Sequence, residues 1–162
     1  MVTISLCGGR GHQKKIKAGA VNQLMDEAIK DYGFGDCGKL LLLFYAADKA
    51  NVPVTRKRVG PYAYLMGGSV MPDTYIVFQW QPLPDAERLG ECLTGLEISR
   101  YLKPWNGYES PVEISKKGRD WVENHIKSYE GLALVIENMS DELKRLSLLN
   151  KGELFDACFE KK

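Results

Sequence analysis

The sequence, 162 residues long, predicts one α+β domain. Three segments carry that expectation. Residues 40–47, LLLLFYAA, are apolar nearly all round, and a helix without a polar face belongs at the centre of a domain. Residues 74–80, TYIVFQW, are rich in β-branched and aromatic side chains, which suit a strand. Asn106-Gly107 is the preferred pair for a type I′ turn, so residues 98–105 and 108–114 read as a hairpin around it.

The other elements follow in order. Val2, Ile4 and Leu6 alternate with polar residues as in a short strand, which the Cys7–His12 segment breaks. Val21, Leu24, Met25, Ala28 and Ile29 recur at helical spacing over about residues 19–31, and Gly33 and Gly35 end that helix. Asp36 is placed to cap the apolar helix, which runs to about Lys49. Gly60-Pro61 opens a short helix over Tyr62–Met66, because proline suits a first helical position. Asp85 is placed to cap a helix carrying Ala86, Leu89, Cys92, Leu93 and Leu96. Pro104 and Pro111 put the hairpin at a sheet edge. Ser115 caps a helix with Trp121, Val122, His125 and Ile126 on its inner face, and Ser140 caps a final helical stretch from Leu143 to Phe159.

Helix, helix and hairpin in that order are the winged-helix arrangement. The fold expected is a winged-helix-like core over residues 36–128. Residues 1–35 form an additional N-terminal strand and helix, and residues 129–162 a C-terminal helical segment. The C-terminal leucines and phenylalanines either pack on the domain or form a homodimer seam.

Composition excludes several classes. The formal net charge is +1, with 22 basic and 21 acidic residues, so overall charge favours neither nucleic acid nor membrane. Four cysteines, Cys7, Cys37, Cys92 and Cys158, are dispersed and have no C-x-x-C spacing; reduced thiols in a cytoplasm are expected. The N-terminal apolar run is too short for a signal peptide. The apolar run at residues 40–47 falls far short of the roughly 20 residues a membrane span needs.

No catalytic motif is evident, and the chain reads as a non-enzyme without cofactor or metal. Gly8-Gly9-Arg10-Gly11 has neither dinucleotide-binding nor P-loop spacing, although Arg10, Lys14, Lys15 and Lys17 would suit an anion. A solvated basic arm is the simpler account. His12 and His125 are the only histidines; Cys7 with His12 is the nearest approach to ligand spacing, and a metal needs three or four ligands. Asp85 with Glu87 and Asp141 with Glu142 sit at helix starts, where macrodipole compensation explains them.

Basic clusters are the stronger lead. Arg56, Lys57 and Arg58 precede Gly60-Pro61, while Arg100, Lys103, Lys116, Lys117 and Arg119 surround the hairpin. Tyr62 stands among the interleaved aromatics. These nine residues are the candidate contacts to double-stranded DNA, with hairpin and helix termini meeting phosphates. The expected function is then a transcriptional regulator. The helix from Asp85 to Leu96 carries Asp85, Glu87 and Glu91 against only Arg88, a face that repels phosphate. The short helix at Pro61–Met66, with its basic lead-in, is therefore the expected reader. The alternative is that these charges only solvate a surface.

Residues 40–62, LLLLFYAADKANVPVTRKRVGPY, resemble the Panacea and related phage- or antitoxin-associated domains. There an apolar helix ends near Y-x-A-D, followed by G-x-P-I/V and a basic or aromatic stretch into G-P. Residues 111–122, PVEISKKGRDWV, resemble the wing strand and following helix of many winged-helix proteins, which often read L-T-x-K-G-R. Together the likenesses cover about half the chain. Residues 1–35 have no place in the pattern, and residues 74–80 stand where many relatives have helix or loop. The resemblance implies the alternative function, a non-enzymatic protein-interaction module of antitoxin or phage accessory type.

Overall fold

The computed structural model describes residues 35–67, 79–80, 83–107 and 109–161. The strand expected at residues 2–6, the helix at 19–31, the glycine-rich basic segment and most of the strand at 74–80 lie outside them. The described residues form a helix-rich fold: α1 (Asp36–Ala50), α2 (Arg56–Met66), α3 (Glu87–Ile98), α4 (Lys116–Ser128), α5 (Leu132–Ser147) and α6 (Lys151–Lys161). Two short strands, β1 (Gln79–Trp80) and β2 (Pro84–Asp85), pair antiparallel between α2 and α3.

α1 is the central helix. Every residue from Lys39 to Ala47 is buried, because α3, α4 and α5 all pack on it. Each fully buried Leu or Phe contributes roughly 1.5–3 kcal/mol. Its first cap is Gly35 rather than Asp36, which lies inside the first turn. Asn51 closes it in the left-handed conformation at φ 55°, a role asparagine tolerates well.

α2 begins five residues earlier than expected, at Arg56. Val59, Tyr62, Ala63 and Met66, spaced i, i+3, i+4, i+7, are all buried, so one apolar stripe extends the helix back through Pro61. The basic triplet is therefore its first turn and not a lead-in. A Cβ at Gly60 would collide with the backbone carbonyl of Pro84, so glycine there lets β2 lie directly against α2.

Asp85 does not cap α3. It belongs to β2, and its carboxylate accepts from the Ala86 amide at 2.8 Å, with Ala86 itself at the cap position. α3 continues to Ile98, so the strand expected from residue 98 starts later. The Tyr101 amide bonds the Leu96 carbonyl and the Arg100 amide the Glu97 carbonyl, with Arg100 at φ 65°. That is a Schellman closure with arginine where glycine is usual.

The expected hairpin is reduced to single bridges. Leu102 pairs with Ile114 and Thr55 with Pro111, both antiparallel. Two amide bonds, Lys103 to the Glu113 carbonyl at 2.8 Å and Val112 to the Val54 carbonyl at 2.7 Å, hold the three segments side by side. Residues 111–114 lie in the middle. Pro104 and Pro111 lack the amides a longer ladder needs.

Ser115 caps α4 as expected, accepting from the Gly118 amide at 3.1 Å. Ser140 does not start a helix. It lies inside α5, its hydroxyl donating to the Ala46 carbonyl of α1 at 3.0 Å. The break falls at residues 148–150, where Asn150 and Glu153 exchange side chain-to-amide bonds in a capping box that starts α6. Val135, Ile136, Met139, Leu143 and Leu146 pack α5 into the core around α1, so residues 129–162 share the core of residues 36–128. α6 docks on α2 through Leu154 and Cys158 and leaves Phe155 and Phe159 stacked outward, centroids 6.2 Å apart.

Candidate functional site: an acid-rimmed groove along α3

The nine basic and aromatic residues expected to meet DNA do not form one surface. Arg56 turns into the fold, ion-paired with Glu97 and stacked over the Trp105 ring at 4.9 Å; its side chain is only 13% exposed. Lys57 pairs with Glu109. Arg58 donates to the Leu149 carbonyl at 3.0 Å and to the Tyr62 hydroxyl at 3.2 Å, tying α2 to the α5–α6 junction. Tyr62 is a core residue, 1% exposed.

The hairpin residues divide in two. Lys103 and Arg119 line a cleft beside the Pro111–Ile114 segment, where Arg119 donates to the Ile114 carbonyl and Lys103 faces Glu113 at 3.8 Å. Lys116 and Lys117 do stand together at the start of α4, which Arg100 meets through its backbone carbonyl, an acceptor from the Ser115 hydroxyl at 2.6 Å. Lys117 donates to the Ser99 carbonyl at 2.8 Å and lies over the Tyr101 ring, while Lys116 pairs with Asp120 one turn on. The first turn of α4 contains no acidic residue, so these cations stand at the positive end of its dipole.

A larger concavity than that cleft lies elsewhere among the described residues. A groove of about 970 Å³ runs along the outer face of α3, between β2 and the bridged loop. Gly90, Thr94 and Gly95 of α3 line it, as do Ile98 and Trp105. Ile98 is 77% exposed and Trp105 52%. A Cβ at Gly90 or Gly95 would meet nothing within 4 Å. Packing therefore does not demand glycine at either position, and each costs the helix about 1 kcal/mol relative to alanine. Asp85, Glu87 and Glu91 rim the groove. The one guanidinium on this stretch of α3, Arg88, is held by Asp36 at 3.3 Å and Glu91 at 3.2 Å. The groove is thus partly apolar and acidic.

A second cleft, of about 670 Å³, lies between α1, α4 and α5 and mixes Lys49, Lys127 and Lys144 with Glu123, Glu137 and Asp141. Tyr45 donates to Glu123 at 3.1 Å there. Burial, then the Glu123 hydrogen bond and charge, push its phenol up to about 12, so it stays protonated at neutral pH. Tyr45 is accordingly a donor here and not a base.

Among the described residues no group of three or more His, Cys, Asp or Glu is arranged to hold a metal ion. His125 bonds the Trp121 carbonyl through Nδ1 at 2.7 Å and stacks on the Trp121 ring at 4.0 Å. His12 and Cys7 lie outside the described residues. No described helix is long and apolar enough to cross a membrane. Sequence reasoning recognised the acidity of α3 but not its groove. The signal was present in Gly90, Gly95 and Ile98, which interrupt an otherwise amphipathic helix on its outer side. No family model, curated protein or solved structure matches the chain.

Proposed function

We propose that this chain is a winged-helix-like module that binds a protein partner along α3, and that the occupant of the groove is a basic, amphipathic segment of that partner. The carrying observation is the groove itself: open space over Gly90 and Gly95, an exposed Ile98 and Trp105, and the carboxylates of Asp85, Glu87 and Glu91 in its lining. The absence of a side chain at Gly90 and Gly95 admits close backbone approach, the exposed isoleucine and tryptophan offer anchors, and carboxylates select lysine and arginine. The winged-helix part of the reading is supported by α1, α2 and α3 followed by the bridged segments, with residues 111–114 between residues 54–55 and 102–103. In that arrangement α3 holds the place of a recognition helix, and its acidic face opposes phosphate.

A second reading, contact with double-stranded DNA, is favoured by one observation. Lys116 and Lys117 stand together at the start of α4, where a phosphate would find cations and the helix dipole together.

Fluorescence polarisation separates the two. Labelled lysine–leucine and glutamate–leucine amphipathic peptides and a random-sequence duplex are titrated with the full chain across a salt series. The groove reading predicts binding of the basic peptide alone. Duplex binding that weakens steeply with salt, with neither peptide bound, would overturn it in favour of phosphate contacts.

A further inference from the structure

We propose that the chain's own basic segment, residues 10–17, occupies the α3 groove in the free protein and must be displaced by the partner. The inference rests on the groove reading above and adds its regulation. Two ion pairs set the point of departure. Arg88 holds Asp36 at 3.3 Å and Glu91 at 3.2 Å, and Glu91 lines the groove. Asp36 is the first residue of α1, so the chain enters that helix one guanidinium away from the groove, through the exposed Gly35. Residues 1–34 precede that point and lie outside the described residues.

Charge decides which part of them fits. Residues 19–31 carry Asp26, Glu27 and Asp31 against Lys30, and a lining that contains Asp85, Glu87 and Glu91 repels them. Residues 10–17 carry Arg10, Lys14, Lys15 and Lys17 and no acidic residue. Ile16 adds an apolar side chain for the exposed Ile98 and Trp105. Cations with an apolar member are the chemistry this groove selects. Length permits the contact. α3 has 12 residues, roughly 18 Å of helix. Residues 10–17 span roughly 26 Å when extended, enough to run along it. Residues 18–34 bridge the interval to Gly35: a helix over 19–31 alone reaches roughly 20 Å. The open space over Gly90 and Gly95 admits an extended backbone. Because the segment is tethered, it meets the groove at high effective concentration. A partner's basic segment then binds only the molecules whose groove is vacant, and its apparent affinity falls by that fraction.

The test uses the full chain in two measurements. Zero-length carbodiimide cross-linking, digestion and mass spectrometry should join Lys14, Lys15 or Lys17 to Asp85, Glu87 or Glu91 within one chain. Polarisation of the labelled lysine–leucine peptide should show roughly tenfold tighter binding when Lys14→Glu, Lys15→Glu and Lys17→Glu are combined, the gain expected if about one groove in ten is vacant in the parent. A second variant, Lys127→Glu, Lys144→Glu and Lys151→Glu, makes the same change in net charge at exposed positions outside the groove and should bind as the parent does. Absence of these cross-links overturns the proposal, as does their appearance only between two chains, which would make a second copy the occupant. Equal peptide binding by parent and N-terminal variant, or equal tightening in both variants, overturns it as well. If no protein binds the peptide, the partner reading of the groove fails and the cross-link decides: its presence within one chain upholds the contact and its absence overturns it.

Discussion

Charged side chains close together in sequence have separate tasks in this fold. Arg56, Lys57 and Arg58 are consecutive, yet one stacks on Trp105, one meets Glu109 at the surface and one reaches the Leu149 carbonyl. Arg58→Met should lower unfolding stability by about 1.5–3 kcal/mol, the usual range for a charged hydrogen bond, as measured by urea denaturation. Lys57→Met, at a side chain 61% exposed, should stay within about 0.5 kcal/mol of the parent. Equal losses would mean that Arg58 does not clamp α2 to the α5–α6 junction. Changing all three to glutamate would therefore unfold the protein before it reported on DNA. Tyr45 gives a prediction in pH. Its folded phenol is raised from the ordinary 10 to about 12, so the neutral form is favoured by folding. That contribution is complete below pH about 10 and is lost as pH climbs towards about 12. Tyr45→Phe should remove this part of the alkaline loss, seen as a flatter difference between the two denaturation curves over that window. An unchanged slope would show that the phenol titrates alike in both states.

At the scale of elements, glycines separate structure from surface. Gly118 and Gly60 are in close contact: a Cβ on Gly118 would strike the Tyr101 carbonyl and the Ile114 side chain, and one on Gly60 the Pro84 carbonyl. Gly118→Ala should cost about 1–3 kcal/mol by overpacking, read from the denaturation midpoint. Gly90→Ala and Gly95→Ala should each stabilise the protein by roughly 0.5–1 kcal/mol, because the space is open and α3 gains helix propensity. Both should also weaken peptide binding by adding a methyl group to the groove lining. A neutral or stabilised variant that binds as before would show that the peptide does not approach these glycines. These contrasts explain what was legible in the sequence. The α1 core could be read because eight consecutive apolar residues leave no exposed face. Ser115 could be read because its hydroxyl lies three residues from an amide it satisfies. The start of α2 was missed because Pro61 reads locally as a first turn, whereas Val59 buried under the fold carries the helix through it. The hairpin was overestimated because Asn106-Gly107 signals a turn, while the prolines and the Schellman closure at Arg100 leave little strand on either side.

Across the whole molecule, composition left function open, since the balance of 22 basic and 21 acidic residues hides their distribution. Folding separates them: carboxylates line the α3 groove while Lys116 and Lys117 stand at the start of α4. That separation needed long-range packing and could not be derived from spacing. The acidity of α3 was visible residue by residue, but the groove depends on β2 and the Trp105 loop, which meet α3 only in space. The central claim is that this groove binds a basic amphipathic protein segment through its exposed anchor. The most direct measurement is polarisation of the labelled lysine–leucine peptide against the parent chain and an Ile98→Ser variant. Ile98 is 77% exposed, so the substitution leaves the core intact. The account predicts saturable binding by the parent and a loss of roughly tenfold in the variant, equivalent to about 1.4 kcal/mol. No binding by the parent, or equal binding by both, would contradict it.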